Sequence, residues 1–228
     1  MDLVIMAAGK GTRLYPITEE TPKPMVKIHG KPIIDWIFES IEGLQFREIF
    51  LILGHKREVI KEHLKDKKGI TYIYQENQTG TADAISLVED MVDKNFMVLP
   101  GDTIYLKKDL QNLYNTTNSL LYGHWGENLC EFGTLKIDFR NQIEYISEKK
   151  KNPISKMVNL SAYNFTNDIF QYMPFTELVK GEKVITNTIN EFISDNGVFK
   201  GVYTEKWYQV TYPQDIKEIE SIWNGKIS

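Results

Sequence analysis

An apolar run, Leu3-Val4-Ile5-Met6, passes without a break into Ala7-Ala8-Gly9-Lys10-Gly11-Thr12-Arg13-Leu14. Residues 2–6 are long enough for one buried strand, and the small residues behind them end it. Glycines let backbone N–H groups come close to an anion, and successive N–H groups in a turn form an anion-binding nest. Two cations, Arg13 and Lys23, follow within one long loop and add charge suited to phosphate. Open α/β sheets bind ligands at the carboxyl ends of their strands. The chain therefore has to place this loop at such an edge, with the first strand inside the sheet.

The rest of the chain alternates in the manner this requires. Strands are expected at 49–53, 70–74 and 96–99, and helices at 32–44, 57–66 and 81–92. The first helix carries an apolar stripe of Ile33, Ile34, Ile37, Phe38 and Ile41, with Pro32 at its opening turn. Thr79 or Thr81 is the start signal of the third. Past residue 105 the pattern is less regular. Shorter strands are expected at 120–123, 133–138, 142–146, 157–165 and 198–203. Helices are expected after Thr166 or Asn167, at 186–195 and at 213–224. This alternation predicts an α/β fold with a largely parallel sheet and helices on both faces. One domain, 1–228, is the economical division, with residues 1–105 binding nucleotide and 106–228 binding the acceptor.

Composition removes other classes. The hydrophobic fraction is 42%, the charged fraction 25% and the net charge −4, so a nucleic-acid partner is not expected. No apolar stretch reaches the length of a membrane span, and the first residues lack a signal-peptide pattern. Cys130 is the only cysteine, which rules out an internal disulfide and predicts a cytoplasmic location. A lone cysteine of this kind is expected as a small core residue. The four histidines show no metal-ligand spacing and are expected to be structural or on the surface.

The Gly9-x-Gly11 pair is neither a dinucleotide fingerprint, since Leu14 stands where a third Gly or Ala would, nor a Walker A loop. The complete string is more specific. A-A-G-x-G-T-R-L, then P-K-P-M with its Lys ten residues after the Arg, then G-K-P-I, resembles the sugar-1-phosphate nucleotidyltransferase family. The resemblance implies a three-layer α/β/α Rossmann-like domain with a mostly parallel, mixed central sheet. It implies that Ala7, Ala8, Gly9, Gly11 and Thr12 wrap the nucleotide. Arg13 would neutralise departing pyrophosphate and Lys23 would contact the phosphate in transfer. Lys31 of G-K-P is expected at a helix entrance or as a solvated surface lysine.

Five further segments carry the resemblance. Gln75-Glu76-Asn77-Gln78-Thr79-Gly80-Thr81-Ala82 is similar to the base-reading segment of uridylyl- and thymidylyltransferases. An amide offers both a donor and an acceptor to a pyrimidine edge. Gln75 and Gly80 would read the base, with Thr81 near the ribose or opening the helix. Pro100-Gly101-Asp102 follows an apolar strand, and Asp102 would hold Mg²⁺ against the triphosphate. Phe132-Gly133, Ser147-Glu148-Lys149 and Asn159-Leu160-Ser161-Ala162-Tyr163 are similar to the family's sugar-phosphate segments. Gly133 and Asn159 would then touch sugar hydroxyls, Glu148 would accept a hydroxyl hydrogen bond, and Lys149 would hold the sugar phosphate.

The chain departs from the pattern at four places. Lys150 replaces a Pro and Ser161 a Gly, and Gln209 and Thr211 stand where relatives carry the acid that supplies a second metal ligand. Asp215 is expected to cap the last helix. The implied activity joins a sugar-1-phosphate to UTP or dTTP with Mg²⁺ as cofactor. The alternatives are a cytidylyltransferase for phosphocholine or a similar phosphorylated alcohol, and a silent sugar-nucleotide-binding homologue.

Overall fold

Alternate residues of the apolar strands face opposite sides of a sheet, and this period of two divides the core. In the computed structural model, which describes residues 1–149, 151–175, 178–179 and 181–227, β1 is Asp2–Ala7. Leu3 and Ile5 join one apolar cluster and Val4 the other. The same split separates Leu51 and Leu53 from Phe50 and Ile52 in β2 (Ile49–Leu53). All seven are at most 3% exposed. Full burial of a Leu, Ile or Phe side chain stabilises by about 1.5–3 kcal/mol before chain entropy is counted. Strands buried on both faces read as unbroken apolar runs, which is why these were visible in the sequence.

Nine strands of the described residues form one sheet. The remaining seven are β3 (Ile70–Tyr74), β4 (Asn95–Pro100), β5 (Ser119–His124), β6 (Gly133–Ile137), β7 (Ile143–Glu148), β8 (Met157–Thr166) and β9 (Lys200–Tyr203). The order along one path is β7-β6-β8-β4-β1-β2-β3. β4, β1, β2 and β3 run parallel, with registers such as Val4↔Val98 and Val4↔Phe50. β8 joins β4 antiparallel and also pairs with β5, beside which β9 lies parallel. The sheet is mixed, and parallel over the strands of residues 2–100, as expected.

Helices cover both faces. α1 (Ile33–Ser40) buries Ile33, Ile34 and Ile37 in the cluster of Leu3. α2 (Arg57–His63) adds Ile60 there. α3 (Thr81–Ser86) and α5 (Ile185–Ser194) place Ile85, Ile185 and Ile189 in the cluster of Val4. The first three helices end four, three and six residues earlier than the periodicity predicts. α1 closes at Ser40, whose hydroxyl donates to the carbonyls of Trp36 and Tyr105. A side chain bonded to its own preceding turn competes with helix continuation.

Several elements were not expected. α4 (Lys107–Tyr114) fills the stretch after residue 105, and the segment following Thr166 is 3₁₀ over Asn167–Phe175. Thr103–Tyr105 pairs antiparallel with Trp207–Gln209, in the register Gln209↔Thr103. A short hairpin joins Leu178–Val179 to Glu182–Lys183. α6 (Pro213–Ile222) has the expected cap: Asp215 Oδ2 accepts from the backbone of Thr211 and Tyr212 at 2.6 and 2.8 Å. Cys130 contradicts its expectation, because it lies exposed in the 3₁₀ turn Leu129–Glu131. That turn has no buried residue, so a small thiol has no core to enter.

Candidate active site

β1, β2 and β4 end side by side, and their following loops form one rim. Gly101 lies so close to β1 that a Cβ there would meet the Met6 carbonyl oxygen at 2.8 Å. This close approach sets Asp102 beside the loop after β1. The short pairing of Trp207–Gln209 with Thr103–Tyr105 brings Gln209 to the same place, with Val210 N donating to the Asp102 carbonyl at 3.1 Å.

Two adjoining cavities open at this rim, of about 360 and 160 Å³. The larger is walled by Ala7, Ala8 and Gly9 from the first loop and by Gln75, Gly80 and Thr81 from the third. Gln78, which the sequence reading did not single out, also lines it and ties the two loops together. Its Nε2 donates to the Ala8 carbonyl at 2.6 Å. The smaller is walled by Gly133, Glu148, Asn159 and Tyr163. Arg13, Lys23, Lys149, Asp102, Ser161 and Gln209 border both. Residues from before and after position 105 thus share one border.

Lys23 and Asp102 are ion-paired through Nζ and Oδ2, at side-chain exposures of 16% and 23%. Burial pushes the Asp102 carboxyl up. The Lys23 charge and hydrogen bond, a bond from Thr103 Oγ1 at 2.9 Å and the Arg13 charge outweigh it and hold the pKa below the usual value. Arg13 reaches Glu131 Oε2 at 3.3 Å, and Tyr212 OH donates to the same oxygen at 2.9 Å. With the Arg13 side chain 54% exposed, that contact is worth little and leaves the guanidinium available to a phosphate.

In the smaller cavity Glu148 Oε2 accepts from Thr186 Oγ1 at 2.9 Å. Asn159 Nδ2 donates to Tyr163 OH at 2.7 Å, and burial pushes that phenol up. Glu131, Glu182 and Thr186 line this cavity without having been anticipated. Glu131 directly precedes Phe132-Gly133, a signal that was available. Glu182 had none, since only the 178–183 hairpin carries it to the cavities.

Some expected residues sit elsewhere. Gly11 and Thr12 are outside both walls: Gly11 packs against Thr18 and Lys23, and Thr12 opens a 3₁₀ turn. Gly80 lines the cavity but is required by chain packing. Its φ is +126°, and a Cβ would lie 2.1 Å from the Lys183 carbonyl oxygen. Neither Thr79 nor Thr81 caps α3; Thr81 Oγ1 accepts from Ile185 N at 3.0 Å. Lys31 stands at the entrance of α1, as expected, ion-paired to Glu39 and 3.3 Å over the Trp36 ring. His29 and His63 hydrogen-bond Trp223 and Asp35, as structural histidines do. Among the described residues no group of three or more His, Cys, Asp or Glu could hold a metal ion.

A doubly wound sheet with a glycine-opened first loop, and with three cations and two carboxylates, Asp102 and Glu182, at a shared cavity border, defines a phosphate-handling enzyme class. The nucleotidyl transferase family pattern matches residues 3–226, and the chain belongs to that family. The bifunctional protein GlmU of Methanococcus maripaludis strain S2 is 35% identical over 231 residues, covering 100% of this chain and 55% of the relative. The chain thus spans about half the length of the GlmU relatives it matches. The UTP–glucose-1-phosphate uridylyltransferase AglF of Haloferax volcanii is 32% identical over 232 residues, covering 96% of this chain and 95% of AglF. In fold, the crystal structure of UDP-glucose pyrophosphorylase complexed with UDP-glucose superposes with a TM-score of 0.85. The alignment covers 96% and 97% of the two chains at 20% identity. No helix among the described residues is long and apolar enough to cross a membrane.

Proposed function

We propose that the chain joins a sugar-1-phosphate to a nucleoside triphosphate, UTP or dTTP, releasing pyrophosphate. The observation that carries this reading is the shared border, where Arg13, Lys23, Lys149 and Asp102 face both cavities. A nucleotide in the larger cavity and a phosphorylated sugar in the smaller would meet there. An oxygen of the sugar phosphate attacks the α-phosphorus in line, and the bond from the α-phosphorus to the bridging oxygen breaks. The electron pair leaves on pyrophosphate. Positioning and charge stabilisation supply the catalysis.

Gln75 reads the base, and Ala7, Ala8 and Gly9 admit the phosphates to the backbone. Lys23 exchanges its Asp102 partner for the transferred phosphate, and Arg13 leaves Glu131 for the departing pyrophosphate. Lys149 holds the sugar phosphate, while Glu148 and Asn159 bond sugar hydroxyls. The donor set suits a Mg²⁺ ion that arrives with nucleotide: one carboxylate, Asp102, is within the one or two such ligands that Mg²⁺ takes beside phosphates and water. Asp102 would hold that ion, with the Gln209 amide as a neutral neighbour; when bound it supplies charge neutralisation on the phosphates. The name of AglF supports UTP and glucose-1-phosphate.

The test is a pyrophosphate-release panel crossing four NTPs with glucose-1-phosphate, N-acetylhexosamine-1-phosphates and phosphocholine. Release with a sugar-1-phosphate and UTP or dTTP is expected. Release only with CTP and phosphocholine, or from no pair, overturns the reading.

A further inference from the structure

β8 bends where it passes from β6 to β4. Its pairing with β5 shifts from Asn159↔Tyr122 to Tyr163↔Leu120, so the strand carries two extra residues there. Ser161 is in this bulge, with φ +61°. Only Gly takes that conformation without strain, and a non-Gly residue persists there when its surroundings over-determine it. They do: Ser161 N donates to Asn159 Oδ1 at 3.0 Å, and Tyr105 OH donates to the Leu160 carbonyl from the buried side. Glycine would serve this backbone at less strain. What serine adds is a hydroxyl, beside the Tyr163 phenol, on the border that Arg13, Lys23 and Lys149 share.

We infer that Ser161 is a further acceptor-binding residue: its hydroxyl donates to an oxygen of the acceptor's phosphate. The inference rests on the function proposed above. The acceptor is favoured over the nucleotide because Ser161 shares its strand with Asn159 and Tyr163, which wall the smaller cavity alone. The strain is then retained for binding, and relieving it separates stability from recognition.

The experiment compares wild type, Ser161→Gly and Ser161→Ala in thermal unfolding and in steady-state pyrophosphate release. It uses UTP with glucose-1-phosphate or N-acetylglucosamine-1-phosphate, whichever turns over faster. Ser161→Gly should unfold about 2–4 °C higher. Its KM for the sugar phosphate should rise about 10- to 100-fold, the worth of a hydrogen bond to a charged group, with KM for UTP within about twofold. Ser161→Ala should show the same KM rise without the gain in Tm. An unchanged acceptor KM in Ser161→Gly overturns the inference, as does an equal rise for UTP. A lower Tm in Ser161→Gly would make the hydroxyl a structural tie to Tyr163 and also overturn it. Wild-type protein that releases no pyrophosphate from these substrates overturns the functional reading itself.

Discussion

Replacing Gly80 by Ala tests whether this glycine serves the chain or the base. At φ +126° and ψ 173° the backbone is in a region that L side chains rarely adopt, which costs about 1–3 kcal/mol. The new Cβ would stand 2.1 Å from the Lys183 carbonyl oxygen and 2.6 Å from its nitrogen. Ordinary van der Waals contact requires that backbone to retreat by more than about 1 Å. Retreat stretches the bond from Lys183 N to the Thr79 carbonyl, now 2.8 Å, worth about 0.5–1.5 kcal/mol. It also pulls on Ile185 N, held by Thr81 Oγ1 at 3.0 Å at the start of α5. The total is roughly 2–4 kcal/mol, or a fall in Tm of roughly 5–15 °C for a chain of this size. Circular dichroism would read the Tm, and hydrogen exchange should show lost protection at residues 182–185. Turnover should fall too, because the hairpin carries Glu182 on the border of both cavities. A variant that unfolds within about 1 °C of wild type, with unchanged exchange and an altered base preference, would refute the packing argument and return Gly80 to base reading.

Asp109 predicts a pH dependence. Burial pushes its carboxyl up, against a bond from Thr204 Oγ1 at 2.7 Å, so folding disfavours the ionised form. Its contribution is full below the ordinary carboxylate pKa and is lost as pH rises through the raised one. Thermal unfolding at pH 4 and pH 7 should therefore show Asp109→Asn gaining on wild type at the higher pH; a gap moving the other way contradicts the assignment. Asp102→Asn should abolish the tight Mg²⁺ binding that calorimetry is expected to detect with a non-hydrolysable triphosphate, wild type binding Mg²⁺ weakly without nucleotide. Undiminished binding, or full activity in excess chelator, would remove Asp102 from the metal.

The sequence alone determined the parallel core. Leu3–Met6, Phe50–Leu53 and Phe96–Leu99 are unbroken apolar runs because strands covered on both faces have no polar side to show. It also showed the charged groups of the site, since Arg13 and Lys23 lie in the one long loop that leaves β1, and Asp102 stands two residues beyond β4. Tertiary structure decided the rest. Trp207–Gln209 is a strand only because Thr103–Tyr105 lies beside it, and that pairing is what brings Gln209 against Asp102. That position 80 tolerates only glycine is decided by the hairpin ending at Lys183, which occupies the space a Cβ would need. Glu182, on the same hairpin, had no local signal at all. The positive φ of Ser161 comes from a register shift between β8 and β5, hinted at in the sequence by the Gly that Ser161 replaces in the family pattern. Hydrophobic periodicity is a local property and is written along the chain. Short strands, bulges and shared cavity borders depend on partners tens of residues away, so only the folded chain contains them.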